Sequence, residues 1–295
     1  MFASRRSAVY REVSGTPGPL ALLGEAIGEV LSRRRLIRYL VSADMKKRGS
    51  DTVLGNLWWI LDPLLQMVVY VIFVTIISPR HQDDYPLFIF AAILPWKWYS
   101  SVVADGVVSV VMQAGLIRQI AFPKIVLPIA VTTANLVGFG WGLVPLLGLM
   151  LFFPHRISVY LLWIPVIAFV QYVFSIATAM FLAAANVFFR DLGNIAGHLL
   201  RLWWFLSPSL FSLDQLENIS FIKNRPWIQA LAEANPFAVL FTAYRTVIYG
   251  SPDGKGPPAA PDLGQLLALL AGSVVLVALA AIVFKRLEPN FAKVL

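Results

Sequence analysis

The sequence predicts an all-α integral membrane protein with six transmembrane helices, an N-terminal amphipathic interface helix and two short re-entrant helices between spans five and six. Three observations support this fold class. Hydrophobic residues make up 58% of the 295-residue chain and charged residues 14%, and the mean hydropathy is +0.73. Long apolar segments recur along the chain, and basic residues gather at their edges. A soluble domain is neither so apolar nor so patterned.

The net charge of +8 follows the same pattern. Because the basic residues flank apolar segments, membrane topology explains them better than nucleic-acid binding, and we expect no nucleic-acid partner. The chain contains no cysteine, which excludes disulfides and thiolate metal sites.

The first part of the chain divides into a tail and a helix. Residues 1–19 are polar and end in a Thr-Pro-Gly-Pro run, which predicts a loose tail. From Leu20 to Val41, apolar residues recur at a three-to-four spacing, and the other face carries charges that include Glu25 and Glu29. Residues 20–52 are therefore predicted to hold an amphipathic helix along the cytoplasmic membrane surface, ended by Gly49. A solvated helix packed on a partner protein fits the same pattern.

Residues 53–295 are predicted to form one six-span transmembrane domain. A helix needs about 20 mostly apolar residues to cross a bilayer, and the spans are predicted at residues 57–77, 86–112, 125–153, 159–188, 195–211 and 263–284. Asn235-Pro236 is a good helix start. The helix after it has about 14 residues and covers about 21 Å, short of the roughly 30 Å hydrocarbon core. Residues 226–249 are therefore predicted to be the two re-entrant helices.

The distribution of basic residues predicts the orientation. Most of the 24 lysines and arginines fall in segments that this topology places inside, and positive residues near spans tend to remain in the cytoplasm. Both termini are therefore predicted to be cytoplasmic.

Polar and aromatic residues within the spans form a candidate translocation path. Lys97, Ser101 and Asp105 recur at four-residue steps and share one helical face. They could line a hydrophilic path or form a polar patch satisfied within the bundle. Aromatic clusters could form a membrane-interface belt or a track on which sugar rings stack. The candidate path comprises Trp59, Trp96, Lys97, Trp98, Tyr99, Ser101, Asp105, Trp203 and Trp204.

Ala134, Gly138 and Gly142 also lie four apart, a spacing that lets helices approach closely and favours self-association.

The sequence offers little for catalysis. The run from Gly250 to Gly256 lacks the spacing of an ATP-binding loop, and the three histidines are scattered, so we expect no catalytic, metal or cofactor site in this chain. The alternative is a membrane glycosyl- or prenyltransferase in which Asp83-Asp84 binds a divalent cation, as acidic pairs do in enzymes that use lipid pyrophosphates.

Several short motifs together resemble the permease subunits of type-2 ABC exporters for polysaccharide and teichoic acid. They follow the basic helix in the order Leu54-Gly55-Asn56-Leu57-Trp58 with Pro63, the loop from Leu116 to Pro123 with Leu127-Pro128, Phe189-Arg190-Asp191-Leu192, and Asn235-Pro236 with Arg245. The resemblance extends from about residue 20 to residue 295.

The resemblance implies a homodimeric permease in a bacterial plasma membrane, bound to two separate ATPase subunits that hold ATP and Mg²⁺. The pair would move a lipid-linked glycan, such as O-antigen or teichoic acid, to the outer face. The N-terminal helix and one loop of this chain would contact the ATPase; the residues of the loop are Gly115, Leu116, Ile117, Arg118, Gln119, Ile120, Ala121, Phe122 and Pro123. An exporter of drugs or small lipids from the same superfamily is the alternative within the transport class.

Overall fold

The computed structural model describes residues 17–50, 53–77, 83–212, 225–251 and 256–295, and these residues contain helices and no strand. Residues 1–16 of the predicted tail lie outside the described residues. The helices are α1 (Pro19–Ser32), α2 (Arg34–Ser50), α3 (Trp58–Ile77), α4 (Tyr85–Val108), α5 (Ala114–Gln119), α6 (Val126–Met150), α7 (Ile164–Phe188), α8 (Leu192–Leu206), α9 (Pro226–Glu233), α10 (Pro236–Ile248) and α11 (Leu263–Val294).

The predicted interface helix is two helices rather than one. It breaks at Arg33, between α1 and α2. The Ser32 hydroxyl donates to the Glu29 carbonyl, which also accepts the Arg33 N–H, and such competition for backbone groups disfavours serine within helices. Helix α2 ends at Ser50, one residue beyond the predicted end at Gly49. A single glycine costs a helix only about 1 kcal/mol.

Five helical segments among the described residues are long and apolar enough to cross a membrane. They match the predicted spans one, two, three, four and six. The last of them, α11, does not end where its apolar stretch ends. It continues through Lys285 to Val294, beyond the predicted end of the sixth span at residue 284.

The segment predicted as the fifth span contains a shorter helix than expected. Helix α8 has 15 residues, which cover about 22 Å, and it ends at Leu206 rather than near Phe211. Ser207 is extended, with φ −92° and ψ 155°, because the residue before a proline is driven out of the helical region and Pro208 follows. The residues around Pro208 are mostly apolar, so hydropathy alone does not indicate that the helix ends here.

Helices α9 and α10 occupy the predicted re-entrant region, with 8 and 13 residues. Asn235 caps α10 as predicted, since its side chain accepts the Phe237 N–H. Most of the apolar side chains of α10, including Phe237, Phe241 and Tyr244, are buried in the bundle against α4 and α7.

Helix α4 is the centre of the bundle. In the most apolar 18-residue stretch of α4, 78% of the residues are buried, whereas only 11% are buried in the corresponding stretch of α3. Helix α6 lies close to both. A Cβ atom at Gly138 would lie 1.7 Å from the Trp59 ring of α3, and one at Gly142 would lie 2.3 Å from Leu94 of α4. The close approach that the small-residue stripe permits is therefore made within the chain, and the stripe is not the self-association face that the spacing suggested.

Candidate functional site

The 115–123 loop joins α4 to α6 at one end of the bundle, which we call the loop end. It begins with α5, a helix of 6 residues, and then becomes extended at Ile120. Ile117 is buried and anchors the loop to the bundle. Arg118, Gln119, Ile120 and Ala121 are exposed. The loop thus presents one cationic and several uncharged side chains on a fixed base.

Lys285 and Glu288 together hold the base of this loop to α1 and to the end of α11. The Lys285 ammonium contacts Glu288 at 2.8 Å, Glu29 at 2.9 Å and Glu25 at 3.2 Å, and the Lys285 side chain is only 7% exposed. Glu288 Oε1 also accepts the backbone N–H of Lys124 at 2.6 Å. The ion pair between Lys285 and Glu288 therefore links α1, α11 and the base of the loop.

The carboxylates around Lys285 differ in their surroundings. Burial raises the pKa of Glu29 above its ordinary value, although the hydrogen bond and charge of Lys285 act in the opposite direction. A cavity of about 880 Å³ opens between these groups and the 115–123 loop. Lys285 comes directly after the predicted end of the sixth span at residue 284. The four-residue spacing of Glu25 and Glu29 was the signal that could have indicated a partner for it.

The predicted polar face of α4 exists, and each of its charges has a partner. Lys97 pairs with Asp62 of α3 at 2.7 Å, and Asp105 pairs with Arg48 of α2 at 2.6 Å. Ser101 lies between them. A cavity of about 200 Å³ separates α3, α4 and α6; of the predicted path residues, it is lined by Trp59, Lys97, Trp98 and Ser101.

The remaining aromatic residues of the candidate path pack elsewhere. Trp96, Tyr99 and Trp203 surround the Phe237 ring of α10, with centroid distances of 4.8, 4.7 and 5.3 Å. Trp204 lies 5.4 Å from Trp96. These contacts are mostly edge-to-face or tilted, the arrangement that aromatic quadrupoles favour. This cluster joins α4 and α8 to α10 inside one chain.

A second cavity brings members of both groups together. It has a volume of about 390 Å³, lies between α3, α4 and α8, and is lined by Trp96, Lys97, Ser101 and Trp204 among others. Gln66, Tyr70 and Arg201 also line this cavity. Eight of the nine predicted path residues therefore divide between the polar cavity, the aromatic cluster and the second cavity that adjoins both, whereas Asp105 lies in the ion pair with Arg48.

At the opposite end of the bundle, the acidic pair is already engaged. Asp84 accepts hydrogen bonds from His155 at 2.7 Å and from Arg156 at 2.9 Å. Tyr249 donates to the Asp83 carbonyl at 2.6 Å. No group of three or more His, Cys, Asp or Glu residues could hold a metal ion in the part of the chain that the structure describes. Asp83-Asp84 therefore fits a structural junction better than a cation site.

Arg245, which carries part of the family resemblance, is a buried structural residue. Its guanidinium donates to the carbonyls of Phe88, Pro208, Ser209 and Phe211, and it lies 3.7 Å from the centroid of the Phe88 ring. It thus fixes the segment that follows α8 against α4. The sequence motif gave its position, but its acceptors became visible only in the structure.

Known proteins resemble this chain over most of its length. The profile of the family described as ABC-2 type transporter matches residues 35–249. An O-antigen export system permease protein RfbA of Myxococcus xanthus is 33% identical over 267 residues, which cover 90% of this chain and 98% of the relative. An RfbA protein of Klebsiella pneumoniae is 24% identical, over 88% of this chain and 95% of the relative.

Proposed function

The chain belongs to the ABC-2 type transporter family, and from that membership we propose that it is the transmembrane subunit of an ATP-driven O-antigen exporter. The observation that carries this proposal is the 33% identity to an O-antigen export permease along 98% of that relative. A similarity that covers 90% of this chain and 98% of the relative favours a shared cargo class as well as a shared fold. The cargo would be a lipid-linked glycan moved to the outer face of the plasma membrane.

The proposal assigns ATP hydrolysis to a separate subunit. The sequence lacks an ATP-binding loop of the glycine-rich type, and the exposed 115–123 loop offers a docking surface at the loop end. We assign ATP and Mg²⁺ to two copies of this partner, and no cofactor to this chain. Docking on the loop would act on α1 and α11 as well, because Lys285 and Glu288 join the three segments.

A second copy of the chain would complete the pathway. Only 11% of the residues in the most apolar 18-residue stretch of α3 are buried. Helix α8 exposes the apolar side chains of Ile195, Leu199, Leu202 and Phe205. Such apolar faces suit either lipid or another protomer. In the homodimer proposed here, the groove between α3 and α8 would lie beside the channel, and its aromatic and polar lining suits a glycan.

The same proposal completes the topology. Six crossings put both termini in the cytoplasm. The fifth is made by α8 together with residues 207–212, because α8 alone covers about 22 Å. Helices α9 and α10 then dip in from outside as re-entrant helices. The burial of α10 supports this, because a short helix at membrane depth needs protein around its backbone ends.

The proposal is tested by deleting the gene and expressing the chain with its ATPase subunit. Deletion should leave completed lipid-linked glycan inside the cell, and expression should return it to the surface. An ATPase subunit that binds ATP without hydrolysing it is the control. Glycan at the surface without this chain would contradict the proposal, as would restoration by the inactive ATPase. A change in drug resistance with normal glycan export would favour the drug or small-lipid exporter.

A further inference from the structure

Arg48 differs from the other basic residues of α2 in where its side chain lies. Arg34, Arg35, Arg38 and Lys46 are exposed, as expected for a basic helix at a membrane surface. The Arg48 side chain is 28% exposed and extends into the transmembrane bundle. It is the last charged residue before α2 ends at Ser50.

The Arg48 guanidinium contacts residues of four helices. It donates to Asp44 of α2 at 2.8 Å, to Asp105 of α4 at 2.6 Å and to Asn135 of α6 at 3.4 Å. It also lies 5.7 Å from the centroid of the Trp59 ring on α3. One side chain thus joins the basic helix to the first three predicted spans.

The acceptors of Arg48 are held in turn by their neighbours. Asn135 donates to Asp105 at 3.0 Å and to the Val131 carbonyl at 3.0 Å, which fixes the amide orientation and closes a triad with Arg48. A guanidinium presents several donors in a rigid planar fork, so it can bind two partners without changing conformation. The junction is therefore stiff, which a single flexible ion pair is not.

Asp105 lies at the base of α4, one turn before this helix ends at Val108. The 3₁₀ turn Val111–Gln113 and then α5 follow directly. The base of α4 is consequently attached to the 115–123 loop by the chain and to α2 by Arg48. These are the two elements at which the partner ATPase would act.

We propose that Arg48 is a positioning residue that transmits the displacement of α2 to α3, α4 and α6, so that ATP hydrolysis in the partner moves the spans. This inference rests on the proposed function. Without Arg48, α2 could still bind the ATPase through Arg34, Arg35 and Arg38, and the ATPase could still turn over. Movement of α2 would no longer reach Asp105 and Asn135, and hydrolysis would be uncoupled from export.

The test measures glycan export and ATP hydrolysis for the same variants of the full complex with its ATPase subunit. Arg48→Met keeps much of the side-chain volume and removes the charge. Lys46→Met is the matched control, since Lys46 is an exposed cation on the same helix. Asp105→Asn removes the charge of the acceptor at nearly constant shape, and it serves if Arg48→Met does not accumulate in the membrane. The double variant Arg48→Met/Asp105→Asn completes the cycle.

We expect Arg48→Met and Asp105→Asn to keep the bound ATPase and most of the hydrolysis, and to lower export per ATP hydrolysed by about tenfold, within the range of about 5- to 150-fold typical of coupling between sites. The double variant should be no worse than either single variant, because both remove one link. Lys46→Met should match the wild type.

If the amount of glycan exported per ATP hydrolysed stays at the wild-type value in both Arg48→Met and Asp105→Asn, the inference is overturned. A parallel fall of hydrolysis and export, or loss of the bound ATPase, would also overturn it, since the residue would then be structural or part of the docking surface. Wild-type chain that exports no glycan with its ATPase would instead refute the proposed function, and the inference with it.

Discussion

Glu288 accepts the backbone N–H of Lys124 at 2.6 Å while its other carboxylate oxygen holds the Lys285 ammonium at 2.8 Å. A residue near the end of the chain thereby fixes the base of the 115–123 loop. Hydrogen bonds to charged groups typically contribute about 1.5–3 kcal/mol, and Glu288 is only about 8% exposed, so solvent weakens these bonds little.

Glu288→Ala should therefore release the base of the loop. It should lower the free energy of unfolding of the purified chain by about 2–3 kcal/mol, because it also removes a partner of Lys285. Heating in detergent, followed by measurement of the folded fraction, tests this. Glu25→Ala is the matched control, since Glu25 lies farther from Lys285 and is 43% exposed. Equal losses from the two variants would contradict the role given to Glu288.

Reversal of charge at Arg118 should disrupt docking of the ATPase. Arg118 is an exposed cation on the 115–123 loop, and it also donates to the Leu295 carbonyl. Arg118→Glu should reduce the co-purified ATPase by about tenfold, since an unfavourable charge at an interface costs about 1.4 kcal/mol or more. Arg190→Glu, in another exposed turn, should change it little. Normal export by Arg118→Glu would exclude the loop as the docking site.

Substitution of Gly138 should displace Trp59. The Cβ of Gly138→Ala would overlap the Trp59 ring, and overpacking of this kind usually costs about 1–3 kcal/mol. Gly140→Ala is the matched control, because nothing lies within 4 Å of its Cβ position. Thermal unfolding in detergent should show a lower unfolding temperature for Gly138→Ala than for Gly140→Ala. The unfolding temperature of Gly140→Ala should equal or exceed that of the wild type. Identical unfolding temperatures would argue against close packing between α3 and α6.

The absence of cysteine allows the topology to be read from single labelled positions. Arg118→Cys and Lys293→Cys, both at exposed positions, should react with a membrane-impermeant maleimide only after the membrane is opened. Ala260→Cys, in the exposed segment before α11, should react in intact cells. Reaction of Arg118→Cys and Lys293→Cys from opposite sides would refute the six-span proposal.

The Asp84 junction should depend on pH in one direction. Partial burial acts to raise the pKa of Asp84, but hydrogen bonds and charges from Arg156 and His155 outweigh it and lower this pKa below its ordinary value. A lowered folded-state pKa means that the stabilisation is present above the ordinary pKa of about 3.9 and is lost as pH falls through the folded-state value.

Asp84→Asn should accordingly destabilise the chain at pH 7 by about 1–3 kcal/mol, and the difference from the wild type should shrink below about pH 4. Unfolding in detergent at both pH values tests this. A difference that stays constant across the range would show that the Asp84 charge does not hold Arg156.

The sequence predicted those features that repeat along a helix. Apolar length identified five spans, and the four-residue step placed Lys97, Ser101 and Asp105 on one face. The partners of these residues were not predictable, because Arg48 and Asp105 are separated by 57 positions and meet only through packing. The fifth span was too long because an apolar run concealed the stop at Ser207-Pro208. Lys285 illustrates the same limit, since burial of a charge depends on neighbours that the local sequence does not contain.

The break at Arg33 divides the predicted interface helix into two helices that are held to different parts of the bundle. The first, α1, is joined to α11 by the ion pair between Glu29 and Lys285. The second, α2, is joined to α4 by the ion pair between Arg48 and Asp105. A partner that tilts α1 and α2 would therefore displace the last helix and the early helices together. Because the two helices are separated at Arg33, they can tilt through different angles.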